Sequence, residues 1–139
     1  MEAVIPQNQI DCLQITFRNE ERVLELEWRG TVLFSDLRQG YYQMLDMLKE
    51  KPTRRFIFDL RNRRPIPNHE QLWVTNTIFP KLLAQVNETV FIAALVPAKY
   101  LDAEIEGLEP ESLMDNDNFI IIQNFLLPEE AKRWLAEQR

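Results

Sequence analysis

Five short apolar runs, separated by segments with helical spacing, constrain the fold of this chain more than any other feature. Residues 12–17 and 22–30 alternate between apolar and polar side chains and are joined by a short turn, which predicts an antiparallel hairpin. The runs at 54–60, 89–97 and 118–125 are more continuously apolar, which is typical of strands covered on both faces. These runs therefore predict five strands, of which the last three are inner strands.

The segments between the runs indicate helices that bury one side. Ser35 and Asn68 are expected to cap the first two helices, since their side chains can accept hydrogen bonds from free backbone N–H groups. Pro80 should kink or restart the second helix, and Pro128 suits the first position of the last one. The mixed acidic segment at 98–116 predicts a short helix followed by a loop. The buried stripe of the first helix is predicted to consist of Leu37, Tyr41, Met44, Leu45 and Leu48.

The predicted order of elements is β-β-α-β-α-β-α-β-α, which is the pattern of an α/β fold. An N-terminal antiparallel hairpin followed by parallel strands gives a mixed sheet with covering helices. We expect a single domain over residues 1–139, with its core at about 10–137. No glycine lies at a strand–helix junction, so neither a dinucleotide-binding fingerprint nor a P-loop is present, and no cofactor is predicted.

Composition excludes several classes of function. A formal net charge of −6 argues against general nucleic-acid binding, which depends on neutralising phosphates. The single cysteine, Cys12, cannot form an internal disulfide, and no Cys/His cluster indicates a metal site. No apolar run is long enough for a membrane span, and the N-terminus lacks the apolar region of a signal peptide. We therefore expect a cytoplasmic protein without a metal or a cofactor.

The stretch FIFDLRNRRPIPNHEQLW, residues 56–73, is the principal candidate site because it joins a buried strand to a helix. Asp59 is predicted at the carboxyl end of the strand, where ligands bind in open α/β sheets. Its carboxylate could bind a cation, reject anions or orient the loop. Alternatively, it bonds backbone N–H groups of the following turn or pairs with Arg61.

Basic and aromatic side chains surround this aspartate. Arg61, Arg63 and Arg64 predict either a basic rim for an anion or partner protein, or simply a solvated face. His69 is the only histidine, and no serine or cysteine is predicted beside it, so no catalytic group is expected. Trp73, like the other two tryptophans, is interpreted either as core or as a wall of a hydrophobic pocket.

Three stretches give the chain a resemblance to the STAS domain family, in particular to its SpoIIAA-like single-domain members. They are LELEWRGTVLFSD, FIFDLRN with HEQLW, and FLLPEEAKRWL. The resemblance implies a regulatory domain that binds a partner protein. In regulatory STAS domains a Ser or Thr at the start of the second helix is phosphorylated. Here Asn68 or His69 occupies that position, and no Ser or Thr lies between Thr53 and Thr75.

These observations lead to two functional hypotheses. The first is a non-enzymatic, cytoplasmic protein-interaction module of STAS type without the phosphorylation switch. Its partner would be a protein of unknown identity, and the edge strand at 12–17 could also pair with its copy in a homodimer. The partner surface is predicted to comprise Asp59, Arg61, Arg63, Arg64, Asn68, His69 and Trp73. The second is a small-molecule or lipid-binding domain of SEC14-like type, which requires an apolar cavity of several hundred Å³ opening near Trp73.

Overall fold

A computed structural model describes residues 2–4, 10–103 and 107–138, with backbone only for residues 2–4. Within these residues seven strands form one sheet, in the spatial order β1-β2-β3-β4-β5-β7-β6. β1, β2 and β3 are antiparallel, β3, β4, β5 and β7 are parallel, and β6 is antiparallel to β7. The strands are β1 (Glu2–Val4), β2 (Leu13–Arg18), β3 (Val23–Gly30), β4 (Arg55–Arg63), β5 (Val90–Leu95), β6 (Met114–Asp115) and β7 (Asn118–Phe125).

Helices cover both faces of this mixed sheet, so the predicted α/β class is confirmed. A π-helical segment, Val74–Ile78, joins α2 directly to α3, and short 3₁₀ turns form at Ala98–Tyr100 and Pro110–Leu113. The α-helices are α1 (Phe34–Met47), α2 (Asn68–Trp73), α3 (Phe79–Val86) and α4 (Pro128–Glu137). None of the helices in the described part of the chain is long and apolar enough to cross a membrane.

Two apolar clusters hold the layers together. The larger one joins α1 and the helical segment from 74 to 86 to the face of the sheet that carries Leu24, Phe56 and Ile92. The smaller one joins α4 to the opposite face, where Ile57 contributes its side chain. The five residues predicted for the buried stripe of α1 are all buried. The alternation of β3 and β4 thus supplies both cores, because successive side chains point to opposite faces.

The predicted caps of the first two helices are wrong. α1 begins one residue before Ser35, with Leu33 as its cap residue, so the Ser35 side chain lies inside the first turn. Asn68 is itself the first residue of α2, behind Pro67, and no side chain caps either helix. The proline ring restricts φ to a value that is compatible with the start of a helix. Pro67 can therefore precede the first turn of α2 although no side chain accepts a hydrogen bond from its free N–H groups.

Both predictions about helical prolines agree with the structure. Pro128 is the first residue of α4. Pro80 is the second residue of α3, immediately after the π-helical segment Val74–Ile78. Because proline has no N–H to donate to the carbonyl one turn earlier, the regular hydrogen-bond ladder is interrupted there, and a π-type turn is one way to absorb the interruption.

Three further expectations need correction. In place of the short helix predicted within 98–116, the described residues form two 3₁₀ turns, at Ala98–Tyr100 and Pro110–Leu113, and residues 104–106 lie outside the described residues. β2, expected to be an edge strand, is flanked by β1, which pairs with Thr16, Phe17 and Arg18. Cys12 lies in the turn before β2 rather than in the strand.

Candidate functional site

Asp59 lies inside β4 and not at its end, because the strand continues to Arg63. Asp59 is buried, and its carboxylate accepts two hydrogen bonds from the Arg61 guanidinium, at 3.0 Å from Nε and 2.8 Å from a terminal nitrogen. The backbone N–H of Arg61 donates a third bond, at 3.2 Å. Both carboxylate oxygens are therefore engaged by Arg61, which agrees with the structural alternative for this aspartate.

Because of a β-bulge, the side chains of Arg61 and Arg63 lie on opposite faces of the sheet. In the pairing of β3 with β4, Glu27 stands opposite Asp59 and Arg29 opposite Asn62, so two residues of β4 face Trp28 alone. An extra residue in one strand shifts the alternation of its side chains by one position. Arg63 consequently shares the sheet face of Tyr41 and α1, whereas Arg61 lies on the face that carries α4.

Arg63 is half-buried close to the Tyr41 side chain. Burial lowers the pKa of the Arg63 guanidinium from its ordinary value, and Tyr41 opposes this effect. Burial likewise raises the pKa of the Tyr41 phenol above 10.0, although the positive charge of Arg63 acts in the opposite direction. At neutral pH the pair therefore presents a cation and a protonated hydroxyl.

Arg63 is one of the residues that line a cavity of about 350 Å³ at the carboxyl ends of the parallel strands. The cavity lies between these strand ends, the helical segment from 68 to 79 and the 3₁₀ turn at Ala98–Tyr100. Most of its walls are apolar, and the principal ones are Phe58, Leu60, Val74, Phe79, Ile92 and Val96. This is the position at which open α/β sheets bind their ligands.

Several polar side chains at the cavity already have partners in the protein. The Thr75 hydroxyl lies 3.3 Å from the carbonyl oxygens of Gln71 and Leu72 and can donate to either. The Asn124 amide donates to the Leu101 carbonyl at 3.1 Å. Within residues 10–103 and 107–138, by contrast, Arg63 has neither a hydrogen bond nor an ion pair through its side chain. Arg63 is thus the charged group best placed to meet a ligand.

Two asparagines bind groups that follow the first 3₁₀ turn. Asn124 of β7 binds Leu101, as described above, and Asn76 of the π-helical segment binds the second 3₁₀ turn and the residue before it. The Asn76 side-chain oxygen accepts bonds from the Ser112 hydroxyl at 3.0 Å and from the backbone N–H of Glu109 at 3.2 Å. Neither asparagine is identifiable from the sequence, because nothing in the local pattern distinguishes it from a solvated polar residue.

Trp73 does not line the cavity but belongs to an aromatic patch on the surface between α1 and α2. Its ring lies 5.5 Å from that of Phe34 and 6.1 Å from that of Tyr42, in edge-to-face arrangements. His69 lies 6.4 Å from Phe34 on the same surface. We define this aromatic patch as Leu33, Phe34, Tyr42, His69 and Trp73. Trp28 is buried in the larger apolar cluster, while Trp73 and Trp134 are partly buried and pack against the larger and the smaller cluster, respectively.

The seven residues predicted as one partner surface are therefore divided among several places. Asp59 and Arg61 form an ion pair on the α4 face of the sheet. Arg63 and Asn68 line the cavity, and Arg64 is exposed beside it. His69 and Trp73 contribute to the aromatic patch. Of the predicted basic rim, Arg61 and Arg63 lie on opposite faces of the sheet.

A second cleft, of about 410 Å³, lies at the opposite end of β4 and is more polar. Most of its polar side chains contact other groups of the protein. Arg22 donates to the Pro52 carbonyl at 2.5 Å, and Arg54 lies 3.9 Å from the Glu88 carboxylate. Gln85 donates to the Leu45 carbonyl at 2.6 Å. Because these groups are occupied, this cleft offers less to a ligand than the cavity beside Arg63.

Reactive side chains are dispersed across the described part of the chain. His69 is exposed, and its ring nitrogen lies 3.9 Å from the Glu70 carboxylate. Cys12 is half-buried in a turn, and burial, followed by the charge of Asp36, raises the pKa of its thiol. In residues 10–103 and 107–138, no group of three or more His, Cys, Asp or Glu side chains is placed to hold a metal ion.

Comparison with known proteins gives no match: no family model, no curated protein and no solved structure is similar to this chain. The geometry of the cavity and of the aromatic patch is therefore the basis for any functional proposal.

Proposed function

We propose that this chain is a non-enzymatic domain that binds a small, largely apolar molecule in the cavity at the carboxyl ends of β4, β5 and β7. The cavity itself carries the proposal, because its volume of about 350 Å³ is at the lower end of the range found for ligand sites. Its walls are mostly apolar, with few polar groups converging on them, which is also typical of such sites. This is the second of the two hypotheses from the sequence, with the cavity displaced from Trp73.

Small residues and the irregular helix explain why this space is open. Ala94 lies on the cavity side of β5 between Ile92 and Val96, and its methyl group fills less volume than its neighbours. The π-helical segment has a wider turn than an α-helix, so its side chains are spaced differently from those of α2 and α3. An unfilled apolar cavity is destabilising, so a ligand that fills it stabilises the fold.

The proposal is tested with N-phenylnaphthylamine, a neutral dye that fluoresces in apolar surroundings. The wild-type protein should bind the dye saturably. Ala94→Phe should lose binding by about tenfold or more, because its ring occupies the space. Ala84→Phe, an exposed position on α3, is the matched control and should bind like the wild type.

Circular dichroism shows whether each variant is folded. Ile122→Trp, at the partly exposed wall of the cavity, provides a milder second variant if Ala94→Phe does not fold. Absence of saturable binding to the wild type, or unchanged binding to folded variants that fill the cavity, would contradict the proposal.

A second candidate function is the protein-interaction module of STAS type, and the aromatic patch favours it. Tyr42 is 46% exposed and contacts the partly buried Trp73, and Leu33, the chain neighbour of Phe34, is 62% exposed. Aromatic residues are enriched at the centres of protein interfaces. As part of this candidate, the module acts in the cytoplasm, since its single cysteine requires no oxidising compartment.

This second candidate is tested by affinity capture with Tyr42→Glu. A specific partner held by the aromatic patch should be lost from Tyr42→Glu and retained by Tyr100→Glu, since Tyr100 is exposed outside the patch. Equal recovery of the partner with both variants would exclude the patch as its binding surface.

A further inference from the structure

Arg63 is a cation that faces the apolar cavity without a counter-charge in the described residues. Other arginines of the sheet have partners: Arg18 pairs with Glu25 at 2.7 Å and Arg61 with Asp59 at 2.8 Å. Arg55 donates to the Gln138 carbonyl at 2.5 Å. Buried or half-buried cations in proteins are normally paired, because an unpaired charge in apolar surroundings is costly. Arg63 departs from this pattern and therefore calls for a functional explanation.

The placement of Arg63 depends on the backbone, since the β-bulge opposite Trp28 turns its side chain to the cavity. The strand is fixed on both sides of the bulge, by pairing of Asp59 with Glu27 and of Arg63 with Gly30. The next residue, Arg64, is also bonded to Gly30 through its backbone N–H, at 2.9 Å. Bulges of this kind commonly redirect a side chain next to a functional site.

We propose that the ligand of this cavity is an organic carboxylate with an apolar body, whose carboxylate is bound by the Arg63 guanidinium. The inference rests on the proposed function of the cavity and specifies the class of its ligand. The planar guanidinium matches a carboxylate in a bidentate pair of hydrogen bonds. The apolar body then lies along Ile92, Ala94 and Val96 of β5 and its continuation.

Tyr41 supports the same carboxylate as a second donor. Because burial raises the pKa of its phenol, the hydroxyl remains protonated at neutral pH and can donate to an anion. Folding has already removed part of the water around the half-buried Arg63, so the ligand meets a guanidinium that is partly desolvated. The usual penalty of forming a buried ion pair is thereby reduced on the protein side.

The charge in the cavity fits a monoanion better than a phosphate dianion. Arg63 is the one Lys or Arg side chain among the residues that line the cavity in the described part of the chain. A phosphate monoester carries close to two negative charges at neutral pH and offers three acceptor oxygens. A single guanidinium balances one negative charge, so a carboxylate is the matched partner.

The test measures displacement of bound N-phenylnaphthylamine by decanoate, decanol and decyl phosphate. The wild type should favour decanoate over decanol by about tenfold or more, the scale expected for hydrogen bonds to a charged group. Arg63→Gln should remove this preference while decanol binds as before. Arg64→Gln, an exposed arginine one residue away, is the matched control and should keep the preference. Arg63→Lys, which keeps the charge but loses the bidentate geometry, should show an intermediate preference.

The outcomes separate this inference from the function on which it rests. If the dye and decanol bind but decanoate has no advantage in the wild type, the cavity binds ligands and the anion assignment is wrong. A stronger preference for decyl phosphate than for decanoate would overturn the choice of a carboxylate. If the dye does not bind, the proposed function fails and the inference fails with it. The wild-type comparison decides the question even if Arg63→Gln does not fold.

Discussion

The ion pair of Asp59 and Arg61 joins a buried carboxylate to a partly exposed guanidinium. The Asp59 side chain is 3% exposed and that of Arg61 37% exposed. Replacing Arg61 with Leu would leave the carboxylate without its side-chain donors in a site that water reaches poorly. We expect Arg61→Leu to lower the free energy of unfolding by roughly 1–3 kcal/mol, below the full cost of a buried pair because solvent screens Arg61.

Urea denaturation measures this loss, with Arg64→Leu as the control at an exposed position. The control should change stability by no more than about 0.5 kcal/mol. Equal stabilities of Arg61→Leu and Arg64→Leu would show that the Asp59 carboxylate does not depend on its arginine.

Ionisation of Tyr41 is expected to lower the free energy of unfolding at alkaline pH. Its pKa is raised in the folded protein above the ordinary value of 10.0, chiefly by burial. Above that value the unfolded chain releases the phenolic proton while the folded chain retains it, so the unfolded state is favoured as pH rises. The stability present below pH 10.0 is therefore lost progressively as pH rises from there through the folded pKa.

Thermal unfolding recorded across this range should show a steeper decline for the wild type than for Tyr41→Phe, which has no proton to lose. Identical slopes for the two proteins would contradict the shift. Tyr42→Phe is the control, because Tyr42 is 46% exposed and belongs to the aromatic patch rather than to the core.

The sequence identifies the residues around Asp59, but it does not predict which face of the sheet each side chain lies on. An ion pair between Asp59 and Arg61 is one of the alternatives that the sequence predicts, and the structure contains this pair. Arg61 and Arg63 have the same parity in β4, so simple alternation predicts that they share a face. The β-bulge reverses the parity between them, and its position depends on pairing with β3, which no local pattern of β4 encodes.

Packing of α1 against β3 depends on a single glycine in the helix. A Cβ atom at Gly40 would collide with the indole ring of Trp28 and lie 2.8 Å from Cδ2 of Leu13. Trp28 is fully buried, so its ring cannot move away cheaply. We expect Gly40→Ala to destabilise the protein by roughly 1–3 kcal/mol despite the gain in helix propensity of about 1 kcal/mol.

Urea denaturation of Gly40→Ala is compared with that of Gln39→Ala, at an exposed position of the same helix. The control removes no packing and should remain close to the wild type. A Gly40→Ala variant that is more stable than the wild type would show that helix propensity outweighs the contact with Trp28.

At the level of elements, hydrophobic periodicity predicts the features that depend on the burial of apolar side chains. The stripe of α1 and the alternation of β3 follow from the need to hide apolar side chains, and both are recovered. The π-helical segment Val74–Ile78 and the 3₁₀ turn Ala98–Tyr100 are not, because their hydrogen-bond patterns differ from an α-helix by one residue. The aromatic patch was missed for a related reason, since it requires α1 and α2 to be adjacent.

The two edges of the sheet differ in how they are covered by a neighbouring strand. On one side β1 pairs with the second half of β2. On the other side β6 pairs only with Asn118 and Phe119, so the rest of β7 has no neighbour there among the described strands. Phe119 and Ile121 are 46% and 43% exposed, respectively. An apolar edge strand with free backbone groups is a template for pairing with another chain.

We therefore expect reversible self-association through β7 rather than through the strand at 12–17. Sedimentation at increasing concentration should give an apparent mass that rises above the monomer mass of 16.6 kDa. Ile121→Lys should keep the protein monomeric, because a charge on an exposed edge opposes pairing between copies. Leu33→Lys is the control, since Leu33 is an exposed apolar residue of the aromatic patch and not of this edge. A wild type that stays monomeric at every concentration, or an Ile121→Lys variant that associates like the wild type, would exclude β7 as the contact.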